Sequence, residues 1–313
     1  MRRSVPLVTI AMPAYNGGRY LAWAIDSLLA QDYPLWDLVI SDDCSTDQTE
    51  TVGRSYAKRS PRIRYIRQAS NLGEMANFNF CLGEARGAYF MWASDHDLWA
   101  PTFISSCVDA LEADDSAVLA YPRSVLIDEE GNAIEEMDDQ IDLRDASSLD
   151  RYRHLIWRLG ICNMIYGVAR REAIAATQGY SDVLAPDRLV LAKMALQGRI
   201  LTVDGQLFLR RRNRPPETAD QARIRQLGDL NRSTAAERAS MPAPRLFRAL
   251  RDRHLAAVDA STLSAREKAS ARIATLACFH MRFHVASRRV WALKAAAVAT
   301  RQSKRLSRWW GQD

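Results

Sequence analysis

The sequence predicts an α/β protein: a mostly parallel, Rossmann-like sheet with helices on both faces, carrying a helical C-terminal appendage. Three observations predict it. Short apolar runs alternate with longer amphipathic stretches over residues 7–121, the signature of strand–helix units. Two polar clusters, Ser41-Asp42-Asp43-Cys44-Ser45-Thr46-Asp47 and Ser94-Asp95-His96-Asp97, follow apolar runs directly, where strands of such sheets end and ligands bind. The charge is also segregated: residues 218–313 carry 19 Lys/Arg against 7 Asp/Glu, a net of +12, whereas residues 1–217 carry a net of −6.

The elements follow in order. Leu7 to Met12 reads as a buried strand; it is short for a signal peptide and runs into Pro13-Ala14-Tyr15-Asn16 without a cleavage region. Gly18 to Ala30 places Tyr20, Leu21, Ala24 and Leu28 near helical spacing. Asp37 to Ile40 is a second strand, and Ser45 or Thr46 is positioned to cap a helix reaching about Lys58, with Asp47 as a further capping candidate. Arg62 to Ile66 and Tyr89 to Ala93 are further strands, separated by a helix over Asn71 to Ala85. Pro101 opens another helix, and Ala117 to Tyr121 is a fifth strand. Residues 122–155 read as acidic and irregular, with a turn at Asp128-Glu129-Glu130-Gly131-Asn132. Helices are expected at Arg170 to Thr177 and from Pro186-Asp187 to about Gln197, where Gly198 stops the run. Arg199 to Val203 and Gln206 to Leu209 read as two strands before the stop signal Arg210-Arg211-Arg212-Asn213-Arg214-Pro215-Pro216. Beyond Thr218 the pattern is helical, broken at Met241-Pro242-Ala243-Pro244.

Composition bounds the function. A chain of 313 residues, 48% hydrophobic and 26% charged, is not mainly disordered. No apolar run approaches the roughly 18 residues of a membrane-spanning helix. Five scattered cysteines without a C-x-x-C suit a cytosolic protein with free thiols. There is no phosphate-binding G-x-x-x-x-G-K-[ST], no G-x-G-x-x-G and no G-x-S-x-G nucleophile context.

The chemistry lies in carboxylates and arginines. Asp95 and Asp97, flanking His96 at a strand end, can offer oxygens to Mg²⁺ or Mn²⁺, which need only one or two carboxylates beside substrate phosphates. Asp42-Asp43 can accept from a ligand's N–H or hydroxyl groups. Asp187 suits a general base. Arg210, Arg211 and Arg212 suit a diphosphate. Taken singly, each has a plainer reading as turn, cap or solvated loop.

Taken in order, the segments are more specific. Pro13-Ala14-Tyr15-Asn16-Gly17-Gly18-Arg19-Tyr20-Leu21, the Ser41–Asp47 cluster, Asn71-Leu72-Gly73, Trp92-Ala93-Ser94-Asp95-His96-Asp97, Tyr166-Gly167 with Arg170-Arg171-Glu172, and Pro186-Asp187 resemble the family 2 glycosyltransferases of the GT-A fold. The resemblance runs from Val8 to about Asn213. It implies inverting transfer of a sugar from a nucleotide diphosphate-sugar, UDP-sugar favoured, to an acceptor hydroxyl. The setting it suggests is bacterial surface polysaccharide or glycoconjugate synthesis, with a saccharide or lipid-linked acceptor. It further implies that Pro13, Ala14, Tyr15, Asn16, Asp43, Asn71 and Asp95 meet the nucleotide-sugar, with Arg211 at the diphosphate. Asp97, with Asp95 and His96, would hold a divalent cation (Mn²⁺ or Mg²⁺), and Asp187 would be the catalytic base.

His96 stands where the family more often has Asp, Pro186 where it has Glu, and Asn213 where it often has His. His96 and Pro186 motivate an alternative, a non-catalytic nucleotide-sugar binder. A sugar nucleotidyltransferase is a further alternative, but Tyr15-Asn16-Gly17-Gly18-Arg19 lacks the lysine that class wants. The expected organisation is a catalytic domain over 1–217, with a nucleotide-sugar half to about 121 and an acceptor half over 122–217. A basic helical region over 218–313 follows.

The tail has its own signal. Arg282 to Arg308 contains eight Lys/Arg and no acid, and Phe279, Phe283, Val290, Leu293 and Ala297 can share a helical face. Residues 279–313 therefore suit an anionic membrane surface, the inner face of the cell membrane for a cytoplasmic enzyme. Packing on the catalytic domain, or on a second subunit of a homo-oligomer, is the alternative. Nucleic acid is not expected, since no binding motif is present.

Overall fold

The computed structural model describes residues 5–141, 143–144, 147–212 and 243–281. Its first half is the expected alternation. Strands β1 (Val8–Ala14), β2 (Trp36–Asp42), β3 (Ile63–Arg67) and β4 (Tyr89–Trp92) are joined through helices α1 (Leu21–Leu29), α2 (Thr49–Arg59) and α3 (Glu74–Gly83). β1 pairs in parallel with β2 on one side and β4 on the other, and β2 pairs in parallel with β3. The central strands are apolar on both sides because helices cover both. Val8, Ile10 and Met12 point into one core cluster while Ala11 points into the other, as the two-residue strand period requires. α1 buries Leu21, Ala24, Ile25 and Leu28, one stripe at helical spacing.

The second half departs from simple alternation. It contains β5 (Leu98–Trp99), α4 (Phe103–Ala113), β6 (Ala117–Ile127), β7 (Ala133–Glu136), α5 (Ser148–Arg158), β8 (Val168–Arg170), α6 (Arg171–Ala176), α7 (Pro186–Gln197) and β9 (Arg199–Arg211). The sheet order is β3-β2-β1-β4-β8-β6-β9-β5, with β7 on β6. The long strands pair in parallel, whereas β8 lies antiparallel between β4 and β6.

Several expectations are corrected. Residues 122–155 are irregular only in part: β6 runs on to Ile127, and the register with β9 shifts at Pro122/Arg123 and Arg123/Ser124. A proline inside a strand ordinarily argues against one, but an irregular register accommodates it. The two strands expected over 199–209 are one, with Gly205 at φ +95°. Arg210 and Arg211 accordingly belong to β9, not to a loop. α5 was hidden by its charged outer face, although Ser147 caps it by accepting from the Asp150 N–H at 3.2 Å. Neither Ser45 nor Thr46 caps α2; Asp47 Oδ1 accepts from the Thr49 N–H at 2.9 Å.

Two further helices, α8 (Ala243–Ala260) and α9 (Ala265–Phe279), are described. Ser264 and Glu267 form a capping box that starts α9. Leu246, Val258, Leu263, Ala271, Ala274 and Cys278 join the core cluster that contains Leu155, Ile156, Val190 and Met194 of α5 and α7. Phe279 is buried against a group containing Leu189 and Leu250, so it does not belong to an open tail face. Residues 213–242 and 282–313, with Asn213, the expected boundary and the basic tail, lie outside the described residues. No described helix is long and apolar enough to cross a membrane.

Candidate active site

Since β2 and β3 extend the sheet on one side of β1 and β4 lies on its other side, the strand order reverses between β1 and β4. Ligands in open α/β sheets bind at such a switch point, beyond the carboxyl ends of the strands. The expected nucleotide residues gather there. Asp43 N–H donates to the Ala14 carbonyl at 2.8 Å, and Asn71 Nδ2 donates to the Asp43 carbonyl at 3.2 Å. Asn16, at φ +53°, joins two loops: its N–H donates to Ser45 Oγ at 2.9 Å, and its Oδ1 accepts from the Thr46 N–H at 2.9 Å. Pro13 is the penultimate residue of β1, and Tyr15 is 46% exposed at the rim. The Asp43 carboxylate is buried and already accepts from the Leu72 N–H at 2.6 Å and the Gly73 N–H at 3.0 Å. It therefore shapes the cradle by holding the Asn71-Leu72-Gly73 loop. Asp42 is likewise internal, bonded to Tyr65, Arg67 and the Ser45 N–H.

The Asp95–Asp97 loop forms the facing wall. A Cβ added at Gly17 would meet Asp95 Oδ2 at 2.1 Å, so glycine lets the two walls touch. Asp95 Oδ1 is 2.8 Å from His96 Nδ1. Asp97 is only 2% exposed; its Oδ2 accepts from Ser94 Oγ, and its Oδ1 accepts from the Arg211 N–H at 2.7 Å. Both Asp97 oxygens thus accept a hydrogen bond within the fold, and the carboxylate ties this loop to β9. Among the described residues no three His, Cys, Asp or Glu side chains form a closed metal cluster. The donor set still fits a cation shared with a diphosphate, through the Asp95 carboxylate and the His96 imidazole.

Arg211 is likewise held within the fold. It is 2% exposed; Nε donates to the His96 carbonyl at 2.9 Å, and Nη1 donates to the Asp128 and Glu129 carbonyls at 2.8 and 2.6 Å. Its guanidinium lies over the Tyr20 and Trp23 rings, 4.6 and 5.0 Å from their centroids. Its Nη2 is left without a hydrogen-bond partner among the described residues. Successive strand residues point to opposite faces, so the neighbouring Arg210 takes the other side. Arg210 donates from Nη1 to Asn163 Oδ1 at 2.6 Å and lines the same cavity as Asp187.

That cavity, of about 330 Å³, is also lined by Glu74, Phe78, Cys162, Tyr166 and Tyr180. Ala185, at φ +51°, turns the chain so that Asp187 falls in the first turn of α7. Burial, then the Asp187 charge, pushes the Cys162 thiol well above its usual range, so it stays protonated beside that carboxylate. A larger cavity, about 480 Å³, lies at the amino ends of β6 and β9. Its arginines already serve the fold: Arg170 Nε donates to the Ala117 carbonyl at 2.8 Å, and Arg199 Nη1 to Asp114 Oδ2 at 3.0 Å. The smaller cavity, which holds Asp187 and Arg210, is the candidate site. Nothing in the sequence marked Glu74 or Tyr180, and Tyr166 was legible only as part of a motif.

Comparison with known proteins agrees with this fold. Residues 9–178, more than half of the chain, match the family described as Glycosyl transferase family 2. An uncharacterized glycosyltransferase of Rickettsia typhi is 35% identical over 130 residues, covering 41% of this chain and 40% of that protein. A chondroitin synthase of Escherichia coli is 33% identical over 132 residues, covering 42% of this chain and 19% of the synthase. The match therefore spans well under half of either relative. S. aureus TarS in complex with UDP-GlcNAc superposes with a TM-score of 0.64 at 16% identity, covering 88% of this chain and 73% of that chain. The Pyrobaculum calidifontis mannosyltransferase PcManGT, in complex with GDP-Man and Mn²⁺, gives 0.52 at 21% identity, covering 97% and 88%. These structural likenesses show the fold.

Proposed function

The chain belongs to glycosyl transferase family 2, and from that membership we propose that it transfers a sugar from a UDP-sugar to an acceptor hydroxyl with inversion. The observation that carries the reading is the cavity in which Asp187 and Arg210 meet, fixed through β9 to the Asp95–Asp97 loop at the switch point. The TarS complex with UDP-GlcNAc supports the UDP choice. The chondroitin synthase relative supports a growing saccharide as acceptor, and surface polysaccharide synthesis as the setting.

In this reading Tyr15 offers an open ring to the base, within a cradle built by Pro13, Ala14, Asn16, Asp43 and Asn71. Asp187 takes the acceptor proton as the acceptor oxygen attacks the anomeric carbon opposite the leaving group. Arg210 stabilises the negative charge that develops on the departing diphosphate. A divalent cation at Asp95 and His96, Mn²⁺ as in PcManGT or Mg²⁺, would neutralise part of that charge. We place the enzyme in the cytoplasm, with its basic tail at the inner membrane face beside a lipid-linked acceptor.

The test is ligand-dependent stability and turnover. UDP, with Mn²⁺ or Mg²⁺, should raise the melting temperature more than GDP, CDP or dTDP do. Asp187→Asn should lower transfer at least about 100-fold and leave the UDP shift intact. Full turnover by that variant would remove Asp187 as the base, and no shift with any nucleotide would overturn the donor reading.

A further inference from the structure

The chemistry above uses Asp187 and Arg210 but gives no task to another polar group of their cavity, the Tyr166 hydroxyl. Tyr166 ends a 3₁₀ turn, Asn163–Tyr166. The next residue, Gly167, is pressed on β6: a Cβ there would stand 2.4 Å from the Ala120 carbonyl oxygen. The Tyr166 ring packs on Phe208 of β9, with centroids 5.6 Å apart. The same turn carries Asn163, which accepts from Arg210 at 2.6 Å. One residue along β9, the Arg211 N–H is held by Asp97 at 2.7 Å. Tyr166 is therefore fixed beside the strand end that joins the diphosphate wall to the Asp187 cavity, and it lines that cavity.

Among the described residues the Tyr166 hydroxyl has no hydrogen-bond partner, and it is not sealed in the core. Burial, then the charge of Asp97, with smaller contributions from Glu74 and Asp187, holds the phenol well above its ordinary range, against the opposing effect of Arg210. It is thus a neutral O–H donor at neutral pH. A donor at this place faces what lies between a leaving diphosphate and an attacking hydroxyl: the sugar itself.

We propose that the Tyr166 hydroxyl donates a hydrogen bond to the transferred sugar, and so positions the donor and contributes to sugar selection. The inference rests on the donor reading above. Its test is calorimetric titration of the wild-type chain and Tyr166→Phe with two pairs of probes, UDP with UDP-GlcNAc and GDP with GDP-Man, in the presence of Mn²⁺. Phenylalanine keeps the ring against Phe208, so the melting temperature should hold. The variant should bind the sugar nucleotide about 3- to 10-fold more weakly, the worth of one neutral hydrogen bond, and bind the bare diphosphate as the wild type does. An equal loss on both members of a pair, or none on either, would overturn the Tyr166 role and leave the glycosyltransferase reading standing. A wild type that binds UDP-GlcNAc and GDP-Man no better than the bare diphosphates would also overturn the Tyr166 role. A wild type that binds neither pair would overturn the donor reading and this role with it.

Discussion

Arg210 and Arg211 are adjacent in sequence and identical in chemistry, yet the pleat of β9 sends them to different tasks. Arg211 ties three backbone carbonyls from two loops and lies over two aromatic rings, so its removal leaves partly buried acceptors without a donor. Arg211→Ala should destabilise the fold by about 2–3 kcal/mol, by the cost of several unmade, partly buried hydrogen bonds and the lost ring contacts. Arg210→Ala should leave the unfolding midpoint near that of the wild type and lower kcat about 10- to 100-fold, as loss of a charge-stabilising donor does. Paired denaturant titrations and initial-rate kinetics check both. The opposite pattern, a stable Arg211→Ala and a collapsed Arg210→Ala, would reverse the assignment.

At the scale of elements, α7 carries Asp187 on one side of the sheet's carboxyl edge and is braced from behind by α5, α8 and α9. His254 of α8 sits at that junction, with Nδ1 3.4 Å from the Tyr152 hydroxyl and its ring 5.3 Å from that of Phe279. Burial, then the charges of Arg188 and Lys193, pushes its pKa down to about 3. The unfolded chain binds a proton at this residue below its ordinary pKa of about 6.5, while the folded chain does not. Stability from His254 is therefore full above pH 6.5 and falls as the pH drops towards 3, by about 2 kcal/mol at pH 5. Urea unfolding at pH 7.5 and pH 5.0 should show His254→Gln losing less stability on acidification than the wild type, by about that amount. Equal losses would show that His254 is not the group responsible.

For the whole molecule, the question is how the basic C-terminal region relates to the catalytic core. We propose that α8 and α9 fold with the catalytic part, since their apolar faces complete the cluster around α5 and α7, and that residues 282–313 act separately as a membrane-directed segment. A chain ending at residue 281 should keep the wild-type melting temperature and lose cosedimentation with vesicles containing anionic lipid at physiological salt. A chain ending at residue 242 should lose cooperative unfolding, because Leu189, Val183 and Leu155 would be left against water. Equal vesicle binding by the full chain and the chain ending at 281 would remove the membrane role.

The sequence by itself determined the strand–helix alternation through β4, the stop at Gly198 and the chemical types at the strand ends. These depend on local periodicity and on residues such as Asp95 and Asp187 whose chemistry is legible anywhere. It did not reveal β8, α5, the full length of β6 or the single run of β9, since a three-residue strand has no period to read, and a charged outer face or an internal Pro122 or Gly205 masks a longer element. It also could not separate Asp97 from Asp95 or Arg211 from Arg210. Their partners were decided only by the tertiary structure, because which oxygen is already bonded and which guanidinium is already buried depends on segments up to 115 residues away in the chain. Residue type sets what a side chain can do, and burial and partners set which of those things remains open to it.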